Sequence, residues 1–245
     1  MSDAVPVAEP AFYDVIDATW PAARVERLGA VTLREGRGGG SRVSAATVDG
    51  EFEPADLENA ISAMRDMGQT PLFMIRDGDD ALDHWLAEQD FKVKDPVFIR
   101  TGRTADLAEA VLPRVTTFTV WPPLAIQKDI WTEGGINAPR LAIMKRVVAP
   151  KTSIFGRVDD QPAASAFVAT HGEYAMLHAL EVQFEHRRKG LAKWMMYQSA
   201  QWALRNKAHK LAVLVTQSNL GANALYDQLG LNIVGGYHYR ELRSA

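Results

Sequence analysis

The stretch MLHALEVQFEHRRKGLA, residues 176–192, places two proton-carrying residues, His178 and Glu181, on a strand-like run that leads directly into a basic, glycine-containing turn. A long helix is predicted to follow, over 189–208. The first N–H groups of a helix have no intrahelical acceptor and lie at its positive dipole end, which makes an anion seat. Arg187, Arg188 and Lys189 add charge there, and Gly190 and Ala192 leave room for a phosphate to approach the backbone. These residues predict a pyrophosphate seat at 188–192; on spacing alone, a helix start with solvated basic side chains is the commoner arrangement. His178 has an unperturbed pKa of about 6.5, suited to proton exchange near neutrality. A core histidine bonded to a neighbour explains it equally well. Strand alternation puts Glu181 on the opposite face from His178.

A second informative segment, NLGANALYDQLGL, follows a predicted strand at 210–216 and covers 219–231. Together the two segments resemble the GNAT N-acetyltransferase superfamily, in which R-x-x-G-x-G/A precedes N-x-x-A-x-x-L-Y-x-x-L-G-F. Arg187, Gly190 and Ala192 match the first pattern. Asn219, Ala222, Leu225, Tyr226, Leu229 and Gly230 match the second, with Leu231 in place of Phe. The resemblance covers about residues 116–245.

The resemblance implies an acyl-CoA substrate, usually acetyl-CoA. Its pyrophosphate would rest on the backbone of Arg188, Lys189, Gly190, Leu191 and Ala192, beside Arg187. The pantetheine arm would pair like an added strand with backbone at Leu180 and Val182, where an N–H polarises the thioester carbonyl. Asn219 would contact that arm or cap the following helix. Tyr226 would act as general acid, its phenol giving a proton to the departing thiolate. The run LHALEV, 177–182, looks like the arylalkylamine branch, which makes His178 the favoured base, acting through water, with Glu181 as the other candidate. Water chains alone serve many family members. The acceptor pocket would lie between 121–135 and 235–240, with Trp121, Trp131, Tyr237 and Tyr239 as walls and Glu133 facing an amine. The implied activity is acetyl transfer to a primary amine, on a small molecule or a protein, by direct attack in a ternary complex. The alternative is a CoA-binding regulatory or scaffold protein without turnover.

The elements that must position these groups follow from periodicity. The first part reads as a helix at 11–20, strands at 30–34 and 42–48 around a glycine hairpin turn at 36–40, a helix at 54–67, a strand at 71–75, a helix at 80–89 and a strand at 91–99. A polar, alanine-rich stretch at 101–113 suggests a lobe boundary, dividing 1–112 from 113–245. Beyond it come a strand at 114–120, a helix from 121 to about 131, strands at 140–148, 152–158, 164–170 and 175–183, then the 189–208 helix, the 210–216 strand, a helix at 222–229 and a strand at 232–240. Strands first, then alternation of strand and helix, indicate a mixed α/β (α+β) sheet. With the resemblance this is a GNAT-like fold in tandem arrangement.

Sliding the chain by 140 residues places Ala60 on Ala200, Arg65 on Arg205, residues 73–75 on 213–215 and Phe91 on Leu231. The first lobe thus reads as a second, truncated copy. Asp79 stands where Asn219 is, Leu86 where Tyr226 is, and Thr47-Val48-Asp49 where Arg187-Arg188-Lys189 is. A degenerate lobe that binds no CoA is expected.

Composition bounds the rest. Of 245 residues, 47% are apolar and 23% charged, the proportions of a globular protein rather than a disordered chain. A net charge of -3 argues against a nonspecific nucleic-acid binder. The absence of cysteine excludes disulfides, thiol nucleophiles and cysteine metal sites, and no His pair has H-E-x-x-H spacing, so no metal is expected. There is no apolar run of membrane-spanning length, and the opening MSDAVPVAEP lacks the features of a secretory signal. A cytoplasmic location is therefore expected.

Overall fold

The computed structural model describes residues 6–9, 11–114 and 116–242; most of the opening segment and Val115 of the expected 114–120 strand lie outside the described residues. The first part runs α1 (Ala11–Thr19), β1 (Arg24–Leu28), β2 (Val31–Glu35), α2 (Ser41–Ser44), β3 (Thr47–Val48), α3 (Pro54–Asp66), β4 (Leu72–Arg76), α4 (Asp80–Glu88), β5 (Lys92–Arg103) and α5 (Thr104–Ala108). The second runs β6 (Thr117–Val120), α6 (Ala125–Glu133), α7 (Ala138–Arg146), β7 (Lys151–Val158), β8 (Gln161–His171), β9 (Tyr174–Val182), α8 (Leu191–Arg205), β10 (Lys210–Thr216), α9 (Leu220–Gln228) and β11 (Asn232–Glu241).

Two expected strands are corrected. Residues 42–48 form α2 and the two-residue β3, because Val43 turns into a core with Trp131 and Ile143 instead of alternating on a sheet. Residues 140–148 are mostly α7; Pro139 in its first turn is the start signal that outweighs the β-branched tail. The hairpin turn lies at Gly29 (φ 59°), between β1 and β2, rather than at the glycines of 36–40. Helix α6 begins at Ala125, after the prolines.

The main sheet has eight strands in the order β4-β11-β5-β10-β9-β8-β7-β6. Strands β1, β2 and β3 form a small sheet, joined to β4 by a parallel bridge between Ala46 and Phe73. In the middle the lobes exchange their last strands. β5, from the first lobe, lies between β10 and β11; β11, from the second, lies between β4 and β5.

The exchange is symmetric in register. Thr216 faces Val97 on one side and Tyr237 faces Arg76 on the other, and a 140-residue shift converts each pair into the other. The central β5–β11 pairing maps onto itself in the same way: Asn232 opposes Thr101 and Glu241 opposes Lys92. Arg100 of β5 donates to Asn223 Oδ1 (3.2 Å) and the Leu231 carbonyl (3.1 Å) of the second lobe. Its counterpart Arg240 donates to Asp83 Oδ1 (2.7 Å) and the Phe91 carbonyl (3.1 Å) of the first. The repeat seen in sequence is therefore a pseudo-twofold, with each lobe holding the other by a buried or half-buried arginine.

Burial follows the exchange. α8 lays Leu191, Met195, Met196, Ala200 and Ala203 on one sheet face with Ile154, Val168, Leu177 and Val213. The opposite face is shared by both lobes, with Phe12 and Ile16 of α1 packed on Val97, Ile99, Met176, Ala212, Tyr237 and Tyr239. This common core couples the first lobe to the strand that carries His178.

Candidate active site

Strands β9 and β10 pair in parallel only from Tyr174 to Leu177. Beyond that they part, and a cleft of about 980 Å³ opens between them, lined by both lobes. The divergence begins at a bulge: Ala179 has φ 52°, and the β8 register skips there, with Phe167 opposite His178 but Ser165 opposite Glu181. The indole Nε1–H of the fully buried Trp131 donates to the Ala179 carbonyl at 2.7 Å and pins the bulge. The extra residue resets the alternation, so His178 and Glu181 lie on the same face; the expectation of opposite faces assumed a regular strand.

Past the bulge, Leu180 and Val182 have no ladder partner on the β10 side and line the cleft. Arg188, Gly190, Leu191 and Ala192 line its mouth. The chain enters α8 through two left-handed residues, Arg188 (φ 63°) and Gly190 (φ 80°), the second being the N-cap. The helix hydrogen-bond ladder starts with Trp194 N–H to the Gly190 carbonyl (3.3 Å), and among the described residues the N–H groups of 188–192 have no acceptor. The open β9 edge and the turn into α8 thus leave backbone amides without acceptors along one cleft.

The basic residues behave differently from one another. Arg187 folds back, donating to the Val182 carbonyl (2.9 Å) and to Glu181 (3.0 Å). Lys189 does not line the cleft and lies 3.8 Å from Asp159. Arg188 forms no ion pair among the described residues. Glu181 is held by Arg187 and packs on Gly134, where a Cβ would lie 2.5 Å from its carboxyl carbon.

Asn219 is the N-cap of α9, its Oδ1 accepting from Ala222 N–H at 3.1 Å, and it also lines the cleft. One turn on, the buried Asn223 donates to the carbonyls of Thr216 (3.1 Å) and Asn219 (2.9 Å), tying α9 to the end of β10. Arg100 reaches Asn223 from the other lobe, so β5 positions the helix that carries Tyr226. Tyr226 lines the cleft, and its hydroxyl bonds to no described residue. Burial pushes its pKa up to about 12, against a small opposing effect of Arg100.

His178 is buried with both ring nitrogens engaged. Arg42 Nη1 donates to Nδ1 at 3.0 Å, so Nδ1 carries no proton. Nε2 then donates to Thr19 Oγ1 (3.0 Å), which donates to the Val15 carbonyl (2.6 Å). Neither nitrogen is free to take a proton from an acceptor. Burial first, and then the Arg42 charge, hold the His178 pKa well below 6.5. The stability consequence follows from linkage. Below pH 6.5 the unfolded chain binds a proton that the folded one refuses, so stability falls as pH falls, at up to about 1.4 kcal/mol per unit. Chemical denaturation between pH 7 and 5 should show this slope, and His178→Gln should reduce it.

Of the expected acceptor walls, Tyr237 and Tyr239 line the cleft, whereas Trp121 packs on Phe167 and Glu133 accepts from Gln183 (2.7 Å). The residues missed are all outside the second lobe's motifs or in the first lobe: Trp20, Gly40, Arg42 and Asp95, together with Arg140 of α7. No spacing signal pointed to them: the first four reach the cleft only through the lobe pairing, and Arg140 through the placement of α7.

The profile of the acetyltransferase (GNAT) family matches residues 126–231. Among solved structures, a GCN5-related N-acetyltransferase from Kribbella flavida is similar at TM-score 0.74 and 16% identity, over 99% of this chain and 98% of that one. A functionally unknown conserved protein from Staphylococcus epidermidis is similar at TM-score 0.69 and 10% identity, over 92% and 96%. A tandem GNAT protein from the clavulanic acid biosynthesis pathway is similar at 0.62 and 13%, over 100% and 92%. No curated protein matches the chain. Residues 126–231 therefore form an acetyltransferase (GNAT) family domain, and the chain over its whole length shares its fold with these solved structures, the tandem GNAT protein among them.

Proposed function

We propose that the protein transfers the acetyl group of acetyl-CoA to a primary amine by direct attack. The observation that carries this reading is the convergence of unpaired amides at 188–192, the open β9 edge at 180–182 and the Tyr226 hydroxyl on one cleft. The amides suit a pyrophosphate, the strand edge suits the amides of pantetheine, and a backbone N–H near Val182 suits the thioester oxygen. The amine nitrogen bonds to the thioester carbon, the C–S bond breaks, the sulfur takes the Tyr226 proton, and the proton then lost by the new amide nitrogen returns through cleft water to the Tyr226 oxygen. With His178 committed to Arg42 and Thr19, and Glu181 to Arg187, the ammonium proton leaves through cleft water.

The first lobe, in this reading, holds no coenzyme. Its matching slot, between β3 and β4, is filled by Arg76, which donates to the Val48 carbonyl, to Asp49 (3.0 Å) and to Asp79 (3.2 Å). Its matching helix, α3, opens with Asp56 bonded to the Glu53 N–H at 3.0 Å, a negative charge where a phosphate would sit. Among the described residues no helix is long and apolar enough to cross a membrane.

Calorimetric titration with acetyl-CoA should show one site per chain, and a panel of amines should then release free CoA thiol. No binding would overturn the reading. Binding without thiol release toward any amine would favour the CoA-dependent regulatory alternative.

A further inference from the structure

We propose that the acceptor is an amine that also bears a carboxylate, and that Arg42, with Arg140, receives that carboxylate. The inference rests on the acetyltransferase reading and names its substrate class.

The guanidinium of Arg42 belongs to α2 in the first lobe but lines the cleft of the second. Its Nη1 is fixed on His178 Nδ1 (3.0 Å), and the guanidinium lies over the Trp20 ring, 5.9 Å from its centroid. That ring is itself stacked on His178 at 4.8 Å. The chain from Arg42 through His178 and Thr19 to Val15 has one direction of donation throughout, so the imidazole is neutral and leaves the arginine charge uncompensated. Arg42 Nε is buried and has no hydrogen-bond partner.

Arg140 adds a second cation to the same wall. It lines the cleft, and its Nη2 lies 3.4 Å from the point a Cβ on Gly40 would occupy, two residues before Arg42. Neither arginine forms an ion pair among the described residues. The structural arginines behave otherwise: Arg34 meets Asp17 at 2.7 Å, Arg76 meets Asp79 at 3.2 Å, Arg100 meets Asp227 at 2.6 Å and Arg240 meets Asp83 at 2.7 Å. Two guanidiniums lining one cleft without a counter-charge form a receptor for a planar anion. The opposite charge needed for an ammonium is present too. Asp95, at the β5 bulge, lines this cleft and forms no ion pair among the described residues.

The test uses the full chain with acetyl-CoA and follows thiol release from α-, β- and γ-amino acids and from their matched carboxamides. The expected result is a kcat/KM for at least one acid about 10- to 100-fold above that for its carboxamide, the range of a charge-assisted hydrogen-bond pair. Arg42→Gln and, separately, Arg140→Gln should shrink that ratio through a rise in KM for the acid. The Arg140 side chain forms no hydrogen bond with a described residue, so its variant tests the idea without disturbing the His178 chain. Equal rates for acids and carboxamides, or an undiminished ratio in both variants, would overturn the proposal. Acetyl-CoA binding with no turnover of any carboxylate-bearing amine would overturn it alone. Failure of acetyl-CoA to bind would overturn the acetyltransferase reading as well.

Discussion

Tyr226→Phe should lower kcat by about 10²- to 10⁴-fold, the range for removing a positioned general acid, with the Kd for acetyl-CoA changed by less than about threefold. The ring stays packed in the α8 core, and only the hydroxyl, which bonds to no described residue, is lost. Thermal stability should therefore be little altered, separating chemistry from folding. The pH profile gives an independent check. The acid acts in its protonated form, and burial raises its pKa to about 12. Raising the pKa extends the active form upward, so loss of the Tyr226 proton should leave kcat undiminished up to about pH 11. An alkaline fall centred near pH 10 that disappears in Tyr226→Phe would show a phenol not shifted by its surroundings. A variant with unchanged kcat would mean that the thiolate is protonated by water.

Gly190→Val should weaken acetyl-CoA binding by at least about 100-fold. Space is not the obstacle, since the nearest atom to an added Cβ is Trp194 Nε1 at 3.6 Å. The obstacle is φ of 80°, which a β-branched residue does not adopt without strain. The turn must reorganise, and the free amides of 188–192 then no longer converge. Loss of two hydrogen bonds to a charged group, at about 1.5–3 kcal/mol each, corresponds to that change in Kd. Gly190→Ala, with less strain, should fall between the two. Calorimetry decides: a wild-type Kd in both variants would show that the amides of this turn do not hold the pyrophosphate.

The turn into α8 and the α9 segment were legible because their chemistry is local: a strand end, a glycine N-cap and an asparagine cap lie within a few residues of the groups they position. The bulge at Ala179 was not, since nothing in LHALEV marks which residue will take a left-handed conformation, and one extra residue reverses every facing inferred beyond it. Residues 42–48 and 140–148 misled because Val, Ile and Thr favour strands in isolation, whereas here Val43 and Ile143 meet each other's helices in one core. The 140-residue shift was visible, but the strand exchange was not. Arg42, Asp95 and Arg100 gain their roles only when the first lobe closes against the second, at separations that no sequence period reports.

That exchange also governs how the polypeptide can be made. The final strand, residues 232–241, is the inner neighbour of β4, with Glu241 opposite Leu72. A nascent first lobe leaving the ribosome therefore has an open seam down its sheet, which only the later-made residues 232–241 can close. Closure of the first lobe is deferred until those residues are made, and a chain cut short before them leaves the facing edges of β4 and β5 unpaired.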